Sequence, residues 1–225
     1  MSDVFKLDEA VEFAENPEAR CPCVLLLDTS GSMQGTAIDA LNQGLCAFKE
    51  DLMKNSLASR RVEVAVVTFD SDVKVVHEFV TADSFEPPTL TAQGLTHLGA
   101  GIHQALDMIQ ARKALYRTHG VAYYRPWIFM VTDGEPQGEP EQIIEQVTQR
   151  IKQDEVNKRV AFFPVGVENA NLDRLGQISV RTPIKLTGLN FTEMFLWLSA
   201  SMAAVSHSQI DEQVALPPVG WGLAQ

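Results

Sequence analysis

Apolar residues occur along the chain in two patterns that alternate. Short uninterrupted apolar runs are typical of parallel strands that are covered on both faces of a sheet. Longer segments carry apolar residues at steps of three and four, which indicates helices with one buried face. The first pattern predicts strands at residues 24–27, 62–69, 73–80, 127–132, 160–167 and 184–186. The second predicts helices at about 36–54, at about 98–115, from near Pro140 through Ile151, and from Asn190 to about Ser206. Asn190, with Glu193 three residues later, resembles a capping box.

The order of these elements predicts the fold class. Strands that alternate with helices form an α/β fold with right-handed crossovers, in which helices cover both faces of a doubly wound, mainly parallel sheet. Only residues 70–72 separate the strands at 62–69 and 73–80, whereas a parallel crossover needs roughly a dozen residues or more. We therefore expect an antiparallel hairpin, which places one antiparallel strand at an edge of the sheet.

Three parts are predicted along the chain: an acidic leader at 1–19, the α/β domain at 20–208 and an extended, Pro-containing tail at 209–225. The leader has apolar residues at near-helical spacing from Leu7 to Phe13, which predicts a short docked helix. The tail is expected to be extended because Pro217 and Pro218 disfavour a helix, and disorder is the alternative. Its residues expected to pack on the domain or on a partner are Val214, Leu216 and Trp221.

The composition limits the function classes. The chain of 225 residues has a formal net charge of −11, which argues against a nucleic-acid binder and against electrostatic binding to an anionic membrane. No apolar run approaches the roughly 18 residues of a membrane span, and the acidic N-terminus does not resemble a signal peptide. Three cysteines, an odd number, indicate free thiols in a reducing compartment. We therefore expect a cytoplasmic protein, monomeric on its own, in which Cys21 and Cys23 are buried strand residues rather than a metal or redox pair.

Five oxygen-bearing side chains follow predicted strands or lie in a Gly-rich turn: Asp28, Ser30, Ser32, Thr96 and Asp133. Two carboxylates and three hydroxyls form a hard-oxygen set, which suits Mg²⁺, Mn²⁺ or Ca²⁺ and poorly suits zinc or copper. Asp28 and Asp133 each end a predicted central strand, and doubly wound sheets bind ligands beyond the carboxyl ends of such strands. The alternative for Asp28 and its neighbours is a helix cap, and Thr91 is the alternative hydroxyl to Thr96, in a loop predicted to be exposed.

The pattern resembles the metal-ion-dependent adhesion site of von Willebrand factor A (VWA) domains. The strings that carry the resemblance are DTSGSM, GLTHLGAGI and FMVTDGEP. Further strings, among them AFFPVGV and FLWLSASMAAVS, resemble the small cytoplasmic TerY-type VWA proteins of bacterial tellurium-resistance gene sets, over roughly residues 20–222. The loop at residues 135–139 departs from the usual DGxPTD of that family, which leaves open any partner preference that it carries.

The resemblance implies a mechanism of binding. The three hydroxyls would bind Mg²⁺ directly, the two aspartates would act mostly through water, and a Glu or Asp of a protein partner would complete the coordination. It also implies a Ser/Thr kinase-like protein and a PP2C-type phosphatase as partners, in a stress or metal-resistance system. The residues expected to rim the site and contact the partner are Met33, Gln34, His97, Glu135 and Gln137.

Catalysis is not expected, because the chain lacks a Walker A loop, a G-x-S-x-G elbow and a dinucleotide-binding G-x-G-x-x-G after the first strand. An aspartyl phosphotransferase would need an acid two residues after Asp28, where Ser30 stands. The alternative functions are a metal-dependent hydrolase of a phosphorylated substrate and a structural domain with a vestigial site.

Overall fold

The computed structural model describes residues 12–168 and 170–224, and its centre is a seven-stranded sheet. The strands are β1 (Cys21–Asp28), β2 (Val62–Phe69), β3 (Val73–Thr81), β4 (Trp127–Thr132), β5 (Ala161–Gly166), β6 (Ile184–Leu186) and β7 (Gly222–Ala224). They lie in the order β3-β2-β1-β4-β5-β6-β7. The helices are α1 (Thr36–Met53), α2 (Ser56–Arg61), α3 (Leu98–His119), α4 (Glu141–Val156), α5 (Leu172–Ile178) and α6 (Phe191–His207).

Helices cover both faces of the sheet and create two separate cores. Leu25 and Leu27 of β1 pack in the core that contains α1 and α6, whereas Val24 and Leu26 pack in the core that contains α3, α4 and α5. Successive residues of a strand point to opposite faces, so a strand buried on both faces must be apolar throughout. The predicted α/β fold class is confirmed.

The strand order reverses between β1 and β4. From β1 the chain moves outward to β2 and then β3, and α3 carries it back to β4 on the other side of β1. The loops that follow β1 and β4 therefore diverge and leave a crevice at the carboxyl ends of these two parallel strands. Asp28 ends β1, and Asp133 follows β4 directly, so both side chains lie at this crevice.

Both edges of the sheet are antiparallel. The predicted hairpin is confirmed, since β2 pairs antiparallel with β3 from Glu63↔Thr81 to Phe69↔Val73. At the other edge β7 pairs antiparallel with β6, whereas the sequence predicted only one antiparallel edge strand. Three residues are too few to show an alternating pattern, so the sequence contains no local signal for β7. The strand is defined by its pairing with β6.

The tail packs on the domain. The indole Nε1 of Trp197 donates to the carbonyl oxygen of Pro217 at 2.8 Å, and Trp221 is buried against Trp197, with ring centroids 5.6 Å apart. Leu216 packs against the same core. In the leader, residues 12–15 are helical, and the rest of the predicted leader helix lies outside the described residues. The division at residues 20 and 208 stays a prediction.

Two short helices were missed, and one predicted cap is wrong. The side chain of Asn55 accepts hydrogen bonds from the first turn of α2, and that of Asn171 does so for α5. Helices of six and seven residues are too short to show a period. Asn190 precedes α6, but its side chain forms no capping hydrogen bond, so the capping box is absent.

The cysteines of β1 agree with the sequence prediction, whereas the end of α3 differs from it. Cys21 and Cys23 are buried free thiols in β1, as expected. The helix predicted to end near residue 115 continues to His119, where Gly120 in a left-handed conformation ends it. No helix within residues 12–168 and 170–224 has the length and apolarity that a membrane crossing requires.

Candidate metal centre

Three loops meet at the crevice beyond β1 and β4, and backbone hydrogen bonds join them. The amide of Gly31, in the loop after β1, donates to the carbonyl oxygen of Gly94 at 3.0 Å. The amide of Gln137, in the loop after β4, donates to the carbonyl oxygen of Thr96 at 2.9 Å. Gly94 and Thr96 belong to the segment before α3, which therefore contacts both other loops. The sequence-predicted residues from three distant segments are thus brought together.

Four of the five predicted ligands form one hydrogen-bonded chain. The amide of Ser30 donates to Oδ1 of Asp28 at 2.8 Å. The hydroxyls of Ser30 and Ser32 are 3.0 Å apart, and Ser32 Oγ donates to Oδ1 of Asp133 at 2.8 Å. The oxygens of two strand-end loops, 101 residues apart in sequence, therefore lie within hydrogen-bond distance of one another, as a shared ion would require.

Asp28 is a buried carboxylate that has no cationic partner among the described residues. Its exposure is 0%, and its second oxygen accepts a hydrogen bond from the hydroxyl of Thr132 at 2.6 Å. Burial raises the pKa of Asp28 to about 6, against the opposing effect of hydrogen bonds from Ser30 and Thr132. Burial also raises the pKa of Asp133. No ion pair in the described part of the chain includes either aspartate.

These observations fit a divalent cation. Burying an ionised carboxylate is costly unless an opposite charge compensates it. A hard cation placed among the chain of oxygens would supply that charge, and carboxylate and hydroxyl oxygens are the donors that such cations prefer. The residues present therefore suit a metal ion chemically.

Thr96 reaches the site from the third loop but is not exposed. Its relative exposure is 3%, although the preceding residues Gln93 to Leu95 are exposed, as predicted for this loop. The turn between β2 and β3 contacts the segment, since the amide of Leu95 donates to Oγ of Ser71 at 2.9 Å. A methyl group on Gly134 would lie 3.6 Å from Oγ1 of Thr96, so this hydroxyl lies against the loop that carries Asp133. The alternative hydroxyl, Thr91, is exposed.

Met33 was predicted to contact a partner at the rim, and this prediction is wrong. Its side chain has 0% exposure and packs in the core beneath α1. It ends a one-turn 3₁₀ helix at Gly31–Met33, and that turn directs the methionine inward while Ser32 stays exposed. A single apolar residue between polar ones gives no sequence signal for this tight turn.

The other rim residues face solvent to different degrees. Gln34, Glu135 and Gln137 are exposed, and His97 is half-buried at the start of α3. Gln34 donates to the carbonyl oxygen of Ala92 at 3.2 Å. Glu135 accepts a hydrogen bond from the side-chain amide of Asn171 at 2.5 Å. The contact of the four rim residues with a partner stays a prediction.

Two acidic residues that the sequence did not single out hold the third loop. Oε1 and Oε2 of Glu139 accept the amides of Gly99 at 2.6 Å and Ala100 at 3.1 Å, and so cap α3 from the loop after β4. Asp70 is buried after β2, where it accepts the hydroxyl of Thr29 at 3.2 Å and its carbonyl oxygen accepts the amide of His97 at 2.9 Å. The Asp-Ser-Asp turn at 70–72 is a usable signal for Asp70, whereas no local pattern indicates that Glu139 caps a helix 40 residues away.

Thr132 is a third missed residue, and it orients Asp28. Its hydroxyl also lies 3.3 Å from the amide of Gly134, which donates to it. Thr132 therefore links the floor of the site to the turn that begins at Asp133.

Comparison with known proteins supports the fold. The family model of the von Willebrand factor type A domain matches residues 23–193. Among solved structures, a von Willebrand factor type A protein from Catenulispora acidiphila is similar, with a TM-score of 0.64 and 18% identity over 83% of this chain and 43% of that chain. The pilus adhesin SpaC from Lactobacillus rhamnosus GG has a TM-score of 0.65 and 15% identity over 83% and 30%.

A third similar structure is proximal thread matrix protein 1 from the mussel byssus with a zinc-occupied MIDAS motif, with a TM-score of 0.55 and 15% identity over 83% of this chain and 48% of that chain. The chain spans less than half the length of each of these three proteins, and at such identities the likeness shows the fold alone. Comparison with curated protein sequences finds no significant match. Because the family model covers well over half of the chain, the chain belongs to the von Willebrand factor type A domain family.

Proposed function

We propose that Asp28, Ser30, Ser32, Thr96 and Asp133 form a metal-ion-dependent adhesion site. The observation that carries this proposal is the uncompensated burial of Asp28, whose two oxygens accept hydrogen bonds, within residues 12–168 and 170–224, only from neutral groups. Mg²⁺ is the ion that a hard-oxygen set with few charges favours, with Mn²⁺ and Ca²⁺ as alternatives. The mussel protein carries zinc in its MIDAS motif, so a metal comparison for this chain has to include zinc.

The ligands divide into a floor and an outer wall. Asp28, Ser30 and Thr96 are buried, whereas Ser32 is exposed and Asp133 is half-buried. The three hydroxyls and the two aspartates together would hold the ion from one side, and the bound ion would supply positive charge and an open coordination position. The exposed side of Ser32 and Asp133 is where a carboxylate of a partner can approach.

The site serves binding rather than catalysis in this proposal. Asp28 is fully buried, so it cannot reach a substrate as a nucleophile, and its oxygens are occupied by Ser30 and Thr132. No observation favours the alternative of a metal-dependent hydrolase. Proteins of this family often mediate metal-dependent protein interactions. A Glu or Asp of a partner would supply the carboxylate oxygen that completes the coordination of a hard cation.

The wider context in the proposal rests on the sequence resemblance to TerY-type proteins. It comprises a cytoplasmic location, a monomeric chain, and partners that include a Ser/Thr kinase-like protein and a PP2C-type phosphatase in a stress or metal-resistance response. Gln34, His97, Glu135 and Gln137 would contact the partner around the ion.

The test is affinity capture with the full chain as bait, in Mg²⁺ and in EDTA, followed by identification of the captured proteins. We expect capture in Mg²⁺ that is lost in EDTA and strongly reduced by Thr96→Ala, which removes an oxygen without changing the charge. Thr91→Ala, an exposed hydroxyl in the same loop, is the matched control and should capture normally. Capture that persists in EDTA and in Thr96→Ala would place the interface elsewhere and contradict the adhesion mechanism.

A further inference from the structure

A second polar cavity lies between α3 and α4, far from the candidate metal centre. Its volume is about 310 Å³. Both Lys113, in the last third of α3, and Arg159, just before β5, line it. The helix α3 begins near the candidate metal centre, at the carboxyl ends of the parallel strands, and Lys113 lies towards its other end. Arg159 lies just before the first residue of β5, so the cavity lies at the amino ends of these strands.

The charge of this cavity is opposite to that of the whole protein. Four cationic side chains line it with one carboxylate: Lys113, Arg117, Arg150, Arg159 and Asp154. The lining thus carries three excess positive charges, in a chain whose formal net charge is −11. Four cations in so small a space repel one another, so the arrangement favours an anion between them.

The internal carboxylates compensate this charge poorly. Asp154 pairs with Arg159 only at 3.6 Å. Arg150 pairs at 2.6 Å with Asp107, whose side chain is 64% exposed and lies outside the lining. Within residues 12–168 and 170–224, neither Lys113 nor Arg117 has a carboxylate within ion-pair distance. Among the described residues, two of the four cations therefore have no carboxylate partner and can bind an anion.

Lys113 lies close enough to two other cations of the lining, Arg117 and Arg159, to feel their charge. It is half-buried, and its ammonium donates to the carbonyl oxygen of Arg159 at 3.2 Å. Burial lowers the pKa of Lys113, and the charges of Arg117 and Arg159 lower it further, while Asp154 opposes them. Two cations and one carboxylate therefore act on Lys113 among the described residues.

We propose that this cavity binds the phosphate group of a small phosphorylated molecule. Guanidinium groups offer paired donors that match phosphate oxygens, and a lysine adds a point charge. Leu106, Ile109 and Val160 form an apolar floor, which offers a surface for the organic part of the ligand. A volume of about 310 Å³ lies at the lower end of ligand pockets, so the ligand is small.

The test is isothermal titration of the metal-free full chain at constant ionic strength, with glycerol 3-phosphate, inorganic phosphate and glycerol as probes. Without metal, a phosphate cannot bind through an ion at the other end of the sheet. We expect saturable binding of glycerol 3-phosphate and none of glycerol. Comparable binding of inorganic phosphate would support the phosphate group as the recognised chemistry and make free phosphate an equal ligand.

Variants assign the binding to the cavity. Lys113→Gln and Arg117→Gln should each weaken it about tenfold or more, because each removes a charged hydrogen-bond donor. Lys152→Gln is the matched control, since Lys152 is an exposed lysine of α4 outside the lining, and it should bind normally. When glycerol 3-phosphate is added to the wild-type chain, the changes in amide NMR chemical shift should concentrate at residues 106–117 and 150–160.

Three results would overturn the proposal. The first is no saturable binding of either phosphate probe. The second is an equal loss in Lys152→Gln, which would show that net charge alone matters. The third is binding of a phosphoserine peptide without binding of glycerol 3-phosphate, which would assign the cations to a protein partner instead.

Discussion

Two fully buried carboxylates lie at opposite ends of neighbouring strands, and their surroundings differ. Glu63, near the start of β2, lies 2.8 Å from Nε of Arg20, although that N–H is not aligned for a hydrogen bond, and accepts Nε of Arg112 at 2.9 Å and the hydroxyl of Tyr116. Asp28, at the end of β1, accepts hydrogen bonds from two neutral groups, the amide of Ser30 and the hydroxyl of Thr132. The exposure of both carboxylates is 0%.

The difference separates a charge that the fold neutralises from one that the proposed metal ion would neutralise. Around Glu63 the protein supplies the opposite charge itself, and the ring of Phe13 lies under both guanidinium groups, 5.5 Å from Arg20 and 5.0 Å from Arg112. Around Asp28 the protein leaves the charge without compensation, which is costly unless a ligand supplies it. A buried charge that the fold does not neutralise therefore indicates a site, and a neutralised one indicates architecture.

The largest expected effect on the free energy of unfolding is at Glu63, the carboxylate that the protein neutralises itself. Glu63→Gln leaves the buried guanidinium of Arg20 without its counter-charge, and we expect a loss of about 3–5 kcal/mol in the free energy of unfolding, measured with urea. Glu18→Gln breaks a part-exposed ion pair with Arg61 and should cost less than about 1 kcal/mol. Equal losses in the two variants would show that compensation of Glu63 is not what stabilises this end.

The second largest effect is the stabilisation that Mg²⁺ provides through Asp28, the carboxylate without a counter-charge among the described residues. Mg²⁺ at about 100 times its dissociation constant should raise the free energy of unfolding by about 2.7 kcal/mol. Asp28→Asn should abolish this gain, while the metal-free variant stays within about 1 kcal/mol of wild type, since an amide can still accept from Ser30. Urea unfolding with and without MgCl₂ measures both quantities. A full Mg²⁺ gain in Asp28→Asn would refute the assignment of this carboxylate.

A smaller effect is expected for a neutral ligand. Thr96→Ala should weaken Mn²⁺ binding about tenfold, equivalent to about 1.4 kcal/mol, because it removes one oxygen and no charge. Titration calorimetry with Mn²⁺ measures the change, with Thr91→Ala as the control that should bind normally. If both variants bind Mn²⁺ as the wild type does, neither threonine is a ligand.

The smallest effect is expected where a carboxylate is only a cap. Glu139→Ala removes the acceptor for the amides of Gly99 and Ala100 and should cost about 1 kcal/mol. Hydrogen exchange of these two amides should accelerate, while Mn²⁺ affinity falls less than in Thr96→Ala. Glu145→Ala, at an exposed position of α4, is the control for loss of a negative charge, and its exchange rates at α3 should not change.

Local patterns predicted much of the architecture. The apolar run of β1 indicated a strand covered on both faces. Alternate residues of a strand face opposite sides of the sheet, so burial on both sides favours apolar residues at every position. The link at 70–72 was too short for any connection other than a hairpin. The D-x-S-x-S string and the two strand-end aspartates predicted which residues meet, because parallel strands of one sheet end at the same edge.

Elements and caps of a few residues were not predictable in this way. Helices α2 and α5, and strand β7, are too short to repeat a pattern, so they depend on what packs against them. Asn55 and Asn171 cap helices, whereas Asn190, which had the stronger local signal, does not. The backbone differs at these positions, since ψ is 105° at Asn55 and 95° at Asn171 but 47° at Asn190.

The sequence by itself determined the fold class, the edge of the sheet where the oxygen-bearing side chains meet and which side chains these are, because these follow from periodicity and from a short motif. Only the tertiary structure decided that Met33 faces the core, that Thr132 holds Asp28 from 104 residues away, and that Glu63 is neutralised while Asp28 is not. The physical reason is that compensation of a buried charge depends on distance in space, and a linear sequence records which charges exist but not which of them meet.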